Sequence, residues 1–155
     1  MRIQAALFNA LNVVMRPLLR SPLGRLAPAN LCLLSYRGRK SGRSYTTPLS
    51  YMRDGSLVRL LSSHETRWWH NFLAEPLDVE LEIDGESFRG RARALVDEGA
   101  RLRDGVRAFL TAVPRDAVVY GIKLDDERRP REEDIAKVGG RVVLVEVEIE
   151  AQGAR

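Results

Sequence analysis

Two Asp-Gly pairs, Asp54-Gly55 and Asp84-Gly85, each stand between segments that read as strands. Such a pair favours the tight turns whose twist matches two antiparallel strands. Before the second pair, Leu77, Val79, Leu81 and Ile83 alternate with Asp78, Glu80 and Glu82. That period of two predicts a half-buried strand. After it, Phe88 to Val96 predicts the return strand, with Arg89, Arg91 and Arg93 on one face. Two hairpins at this spacing commit the chain to antiparallel pairing and argue against a doubly wound parallel sheet.

The rest of the pattern extends this. Leu31 to Tyr36 is a short apolar run and predicts a buried strand. Ser44 to Met52 predicts a second, and Pro48 inside it calls for an edge or a bulge. The first Asp-Gly pair predicts a turn over Arg53-Asp54-Gly55-Ser56, followed by a strand over Leu57 to Leu61. Arg67 to Leu73 reads as a short helix stopped by Pro76, and Glu98 to Ala112 as another. The stretch from Arg115 to Gly140 holds Val118-Val119-Tyr120 and a charged loop from Lys123 to Asp134. Arg141 to Ile149 alternates as a last strand. With 155 residues the chain makes one domain. The expected organisation is an N-terminal amphipathic helix and linker over 1–30, a barrel over 31–150 and a frayed tail over 151–155. The fold class is mainly β (α+β): a small antiparallel split β-barrel of about six strands with that helix and two further short helices.

Charge is distributed unevenly. Residues 1–53 hold nine basic side chains and no acid, whereas 54–155 hold sixteen basic and twenty-one acidic. The first third therefore presents a positive surface suited to phosphate or another anion. The lone cysteine, Cys32, excludes an intrachain disulfide, so a cytoplasmic protein is the default expectation. Residues 1–26 place Ile3, Leu7, Leu11, Val14 and Leu18 at helical spacing opposite Asn9, Asn12, Arg16 and Arg20. Two readings stand for this helix: packing on the domain, or peripheral contact with the inner face of the membrane. No apolar run approaches the roughly 20 residues of a membrane span.

Two segments carry chemistry. Arg37 to Arg43 packs four cations, Ser41 and two glycines into seven residues. Glycines let backbone N–H groups converge on an anion, and Arg, Lys and Ser add side-chain donors. The alternative is an exposed basic hairpin turn. Arg67 to Phe72 holds both tryptophans. On a helix Trp68 shares a face with Asn71 and Phe72, an aromatic beside a carboxamide, which suits a flat hydrogen-bonding heterocycle. The alternative is that the tryptophans cap the barrel core. His64, His70 and Cys32 have no metal-ligand spacing, so no metal is expected. No side chain stands out as catalytic.

In order and spacing, Gly38-Arg39-Lys40-Ser41-Gly42, Thr47-Pro48-Leu49, Arg53-Asp54-Gly55 and Trp68-Trp69-His70-Asn71-Phe72 with Ala74 and Pro76 resemble the deazaflavin-dependent nitroreductase family. That family is similar to the pyridoxamine-phosphate-oxidase-like, FMN-binding split β-barrels. The resemblance covers about residues 5–97. It implies coenzyme F-420 as cofactor and hydride transfer to a quinone, nitroaromatic or other conjugated acceptor. It implies that Arg39, Lys40, Ser41, Gly42 and Arg43 hold the cofactor's phosphate and acidic tail. Tyr45, Thr47, Pro48, Ser62, Trp68 and Asn71 complete the implied cofactor site. Ser50, Tyr51, Trp68 and Tyr120 are the implied substrate pocket. Tyr45 stands where the family commonly has Arg, and Ser62 to Thr66 is shorter than the family's loop. The other reading is a split barrel that binds FMN, haem or a fatty acid without catalysis. Specific nucleic-acid binding is not expected, because no aromatic-interleaved basic motif is present. A monomer or weak homodimer is expected.

Overall fold

The computed structural model describes residues 30–96, 99–138 and 141–151. The amphipathic stretch of residues 1–26 and the last four residues lie outside them. Six strands close into an antiparallel barrel: β1 (Leu31–Arg37), β2 (Ser44–Asp54), β3 (Leu57–Ser63), β4 (Leu77–Ile83), β5 (Glu86–Leu95) and β6 (Val142–Ile149). Around the barrel the order is β1-β2-β3-β6-β5-β4. The split-barrel expectation therefore holds. Among the described residues the helices are two 3₁₀ helices, Trp68–Phe72 (the Trp helix) and Pro114–Tyr120, and two α-helices, α1 (Ala100–Ala112) and α2 (Glu132–Ile135).

Both Asp-Gly pairs make hairpins, but of different kinds. Asp84 and Gly85 both have positive φ, 49° and 80°, and Ile83 pairs with Glu86 across them. Asp54 instead stays in β2 and pairs with Leu57, so the turn residues are Gly55, at φ 62°, and Ser56. This shifts the predicted turn by one residue. A single glycine at the first central position suffices for that geometry.

The inner face of the barrel is an apolar core. Leu34, Leu60, Phe72, Leu81, Val143, Val145 and Val147 are fully buried there. Removing each large side chain from water stabilises the fold by roughly 1.5–3 kcal/mol. A second core lies outside the sheet, where α1 buries Leu102, Val106, Phe109 and Leu110 against Val142 and Leu144 of β6. The last strand was expected to alternate. It is buried on both faces through Val147, because one face lines the barrel and the other lies largely under α1.

Pairing around the ring is unequal. β2 and β3 pair only from Tyr51 to Asp54, opposite Leu57 to Leu60. The first half of β2, Ser44 to Ser50, pairs with β1 alone. Pro48 lies in this half, where its missing N–H removes no second ladder, and this is the edge position it called for. β2 and β3 therefore part between Ser44–Ser50 on one side and Leu61–Ser63 on the other. The stretch from Arg115 onward, unresolved in the sequence pattern, folds over this side. Val118-Val119-Tyr120 ends the second 3₁₀ helix, and the charged loop holds a bridge between Leu124 and Pro130 and then α2.

Candidate functional site

Alternation on β2 sorts its residues. Leu49 and Tyr51 belong to the inner core, which places Tyr45 and Thr47 on the same face. Thr46, Pro48, Ser50 and Met52 face outward, and Met52 packs on the outer core. From β3, Ser62 shares the inner face with Val58 and Leu60. The parting of β2 and β3 is thus flanked inside by Tyr45, Thr47 and Ser62.

The Trp helix closes this end. Trp68 Nε1 donates to Ser62 Oγ at 3.0 Å, and Ser62 Oγ is in turn bonded to Thr66 Oγ1. Trp69 Nε1 donates to the Ser63 carbonyl at 3.1 Å. The two tryptophans divide their tasks. Trp69 is buried in the core, with His64 at its edge, while Trp68 stays partly exposed. A row of rings runs from Trp68 to Phe72, Tyr36 and Tyr45, with centroids 6.0, 5.4 and 5.5 Å apart. Burial pushes the Tyr36 phenol up to about 12, so it stays protonated.

The basic turn meets the Trp helix directly. Arg39 donates its backbone N–H to Asn71 Oδ1 at 2.8 Å, its Nε to the Asn71 carbonyl at 3.0 Å and its Nη2 to the Glu75 carbonyl at 2.9 Å. Asn71 Nδ2 donates to the Trp68 carbonyl at 2.8 Å. Inside the turn, Gly38 N donates to the Arg43 carbonyl, Gly42 N to the Gly38 carbonyl and Arg43 N to Ser41 Oγ. Ser41 Oγ also pairs with the Tyr45 hydroxyl at 3.3 Å. At Gly38 a Cβ would come within 2.6 Å of Ser41 Oγ and 2.8 Å of the Tyr45 ring, so any larger residue there makes Ser41 or Tyr45 shift. Four N–H groups that a backbone nest would offer an anion are therefore spent within the protein. Lys40 and Arg43 are exposed and carry no ion pair among the described residues. An ammonium and a guanidinium beside a row of aromatic rings fit a phosphate joined to a planar ring.

The implied pocket residues fall on opposite faces of the sheet. Tyr51 and Trp68 pack against the inner core. Ser50 faces outward and bonds to Asp116 of the second 3₁₀ helix. Tyr120, packed on the outer core, feels the Asp116 charge, and burial raises its hydroxyl well above the usual value. Burial also raises the Asp116 carboxyl, while Ser50 and Arg115 lower it; Arg115 Nε is 3.7 Å away. A groove of about 470 Å³ borders the site through Tyr36 and Tyr45. Its outer wall carries Asp78, Glu80 and Glu150 against Arg37 and Arg89, an acidic balance that disfavours a polyanion. Tyr36 and Thr66 join the site without having been singled out in the sequence. Tyr36 sits inside an apolar run, where an aromatic reads as core.

The profile of the family described as F420H(2)-dependent quinone reductase matches residues 11–119. A Mycobacterium tuberculosis protein, whose name assigns it provisionally to the F420H(2)-dependent quinone reductases, is 33% identical over 92 residues. The matched region is 54% of this chain and 75% of that protein. A solved F420-H2 dependent reductase is similar at a TM-score of 0.52 and 19% identity, over 79% of this chain and 95% of its own. A Clostridium acetobutylicum protein of the pyridoxinephosphate oxidase family, related to general stress protein 26, is similar at 0.53 and 13%, over 91% and 84%. At those identities the two structures speak for the fold.

Proposed function

The chain belongs to the F420H(2)-dependent quinone reductase family, and on that premise we propose that it reduces a quinone, a nitroaromatic or another conjugated acceptor at the end of the barrel closed by the Trp helix. The observation that carries this reading is the joining of the basic turn to that helix through Arg39 and Asn71. It brings the free cations Lys40 and Arg43 to the same end as Trp68, Tyr36 and Ser62. When bound, reduced F420 supplies a hydride to the acceptor.

The chain's own residues bind and orient. Lys40 and Arg43 hold the phosphate and acidic tail. Thr47 borders the ring, with Pro48 next to it on the outer face of the strand, and Trp68, fixed by Ser62, gives the ring a wall. Tyr51 and Trp68, on the inner face, bound the acceptor, and Ser50 and Tyr120 back the same strand from its outer face. Holding donor and acceptor in near-attack geometry is the main contribution open to such a site. With hydride delivered, a quinone needs only a proton from water to become the hydroquinone, so no dedicated acid is required. Membrane contact by residues 1–26, one of the two readings of that stretch, would bring the protein to lipid-dissolved quinones.

The filled inner face argues against the other reading. A fatty acid or haem inside the barrel would displace Leu34, Leu60, Phe72 and Leu81, all fully buried. The test is fluorescence titration with coenzyme F-420, with FMN run in parallel. Saturable binding of the deazaflavin, followed by acceptor reduction, is expected. Preference for FMN would overturn the cofactor assignment.

A further inference from the structure

Resting on the deazaflavin reading above, we infer that Arg39 is a positioning residue for the ring end of the site rather than a ligand of the cofactor's phosphate. The residue type and its place in a basic turn point to an anion. The geometry points elsewhere. Three of its donors are engaged by the segment 71–75: backbone N–H to Asn71 Oδ1, Nε to the Asn71 carbonyl, Nη2 to the Glu75 carbonyl. The two carbonyls lie four residues apart, and the planar fork of a guanidinium spans them where an ammonium reaches one. The same contact grips Asn71, whose amide holds the Trp68 carbonyl. Trp68 in turn reaches Ser62 at 3.0 Å. A continuous chain of bonds therefore runs from Arg39 through Asn71 and Trp68 to Ser62 on β3, across the place where β2 and β3 part. The 3₁₀ helix is five residues long, has no side-chain cap and has no acid in its first turn. A helix this short does not hold itself in place. Anion recognition then falls to Lys40 and Arg43, and placement of the aromatic wall to Arg39.

Two ligands separate the roles: the complete cofactor, and the deazaflavin riboside that lacks phosphate and acidic tail. Arg39→Ala, Arg39→Lys and Lys40→Ala are compared with wild type, together with the tryptophan emission of each protein without ligand. Arg39→Ala is expected to weaken both ligands by a similar factor, on the order of tenfold, about the worth of one charge-assisted hydrogen bond. It should also shift the emission of the ligand-free protein. Arg39→Lys keeps the charge but not the fork, and should behave like Arg39→Ala. Lys40→Ala should weaken only the complete cofactor and leave the emission unchanged. The inference is overturned if Arg39→Ala spares the riboside, or if Arg39→Lys restores wild-type binding, since either makes Arg39 an anion ligand. If wild type binds neither ligand, the deazaflavin reading fails instead. The emission of Arg39→Lys then still decides the positioning role: an unchanged spectrum rejects it.

Discussion

Two arginine-rich regions of this barrel look alike in the sequence and differ in the fold. The turn carries Arg37, Arg39, Lys40 and Arg43, and the outer face of β5 carries Arg89, Arg91 and Arg93. On β5 every arginine lies in register with acids: Arg89 opposite Glu80, Arg91 between Asp78 and Glu148, Arg93 opposite Glu146. Arg101 of α1 reaches Glu146 at 2.6 Å, and Arg59 of β3 lies opposite it. Among the described residues Arg39, Lys40 and Arg43 of the turn form no ion pair. Arg39 is held by carbonyl oxygens, which orient a guanidinium without cancelling its charge. A carboxylate neutralises an arginine, and a carbonyl only fixes it. Arg91 of β5 is paired with Asp78 at 3.4 Å and Arg101 of α1 with Glu146 at 2.6 Å, while the turn keeps its positive field for a ligand.

That contrast can be broken at several places. The largest effect is expected from the double substitution Lys40→Ala, Arg43→Ala. Each charged hydrogen bond contributes about 1.5–3 kcal/mol, so F-420 affinity should fall by at least two orders of magnitude. The melting temperature should move by less than about 2 °C. A large loss of stability with unchanged affinity would make the turn structural.

Glu146→Ala tests the other region. It leaves Arg59 without its counter-ion, and the Arg59 Nε already has no hydrogen-bond partner among the described residues. Removing one partner of a buried pair costs about 3–5 kcal/mol, and the exposure of Arg101 reduces this to about 2–3. Urea unfolding should show that loss with cofactor affinity unchanged; an affinity change would erase the distinction between the regions. Gly38→Ala should cost about 1–2 kcal/mol through the clash with Ser41 and Tyr45. It should also loosen cofactor binding, and an unperturbed variant would show that the turn tolerates rearrangement.

The smallest effect concerns Asp116, the acid bonded to Ser50 of β2. Its carboxyl is raised, chiefly by burial. A raised carboxyl stabilises the fold below the unfolded value and loses that contribution as pH rises through the folded one. Asp116→Asn should therefore melt slightly above wild type at neutral pH, and the two should converge below about pH 4. Curves that stay parallel across that range would remove burial as the cause.

Much of this molecule was legible in one dimension. The period-two patterns of β4 and β5, the Asp-Gly turns and the edge position of Pro48 follow from local physics: side chains alternate, tight turns need positive φ, and proline lacks a donor. The motifs carrying the family resemblance were also local, since the basic turn and the Trp helix are each contiguous. What only the tertiary structure decided is how those pieces are used. Asn71 lies 32 residues from Arg39 and Glu75 lies 36 away; nothing in the turn's own sequence says that Arg39 is claimed by the Trp helix and the segment after it. Nor does the last strand announce that α1 covers its second face, because valine suits either burial. Hydrogen-bond partners distant along the chain are chosen by the closing of the barrel, and that choice separates the cations that hold the site from those left to bind.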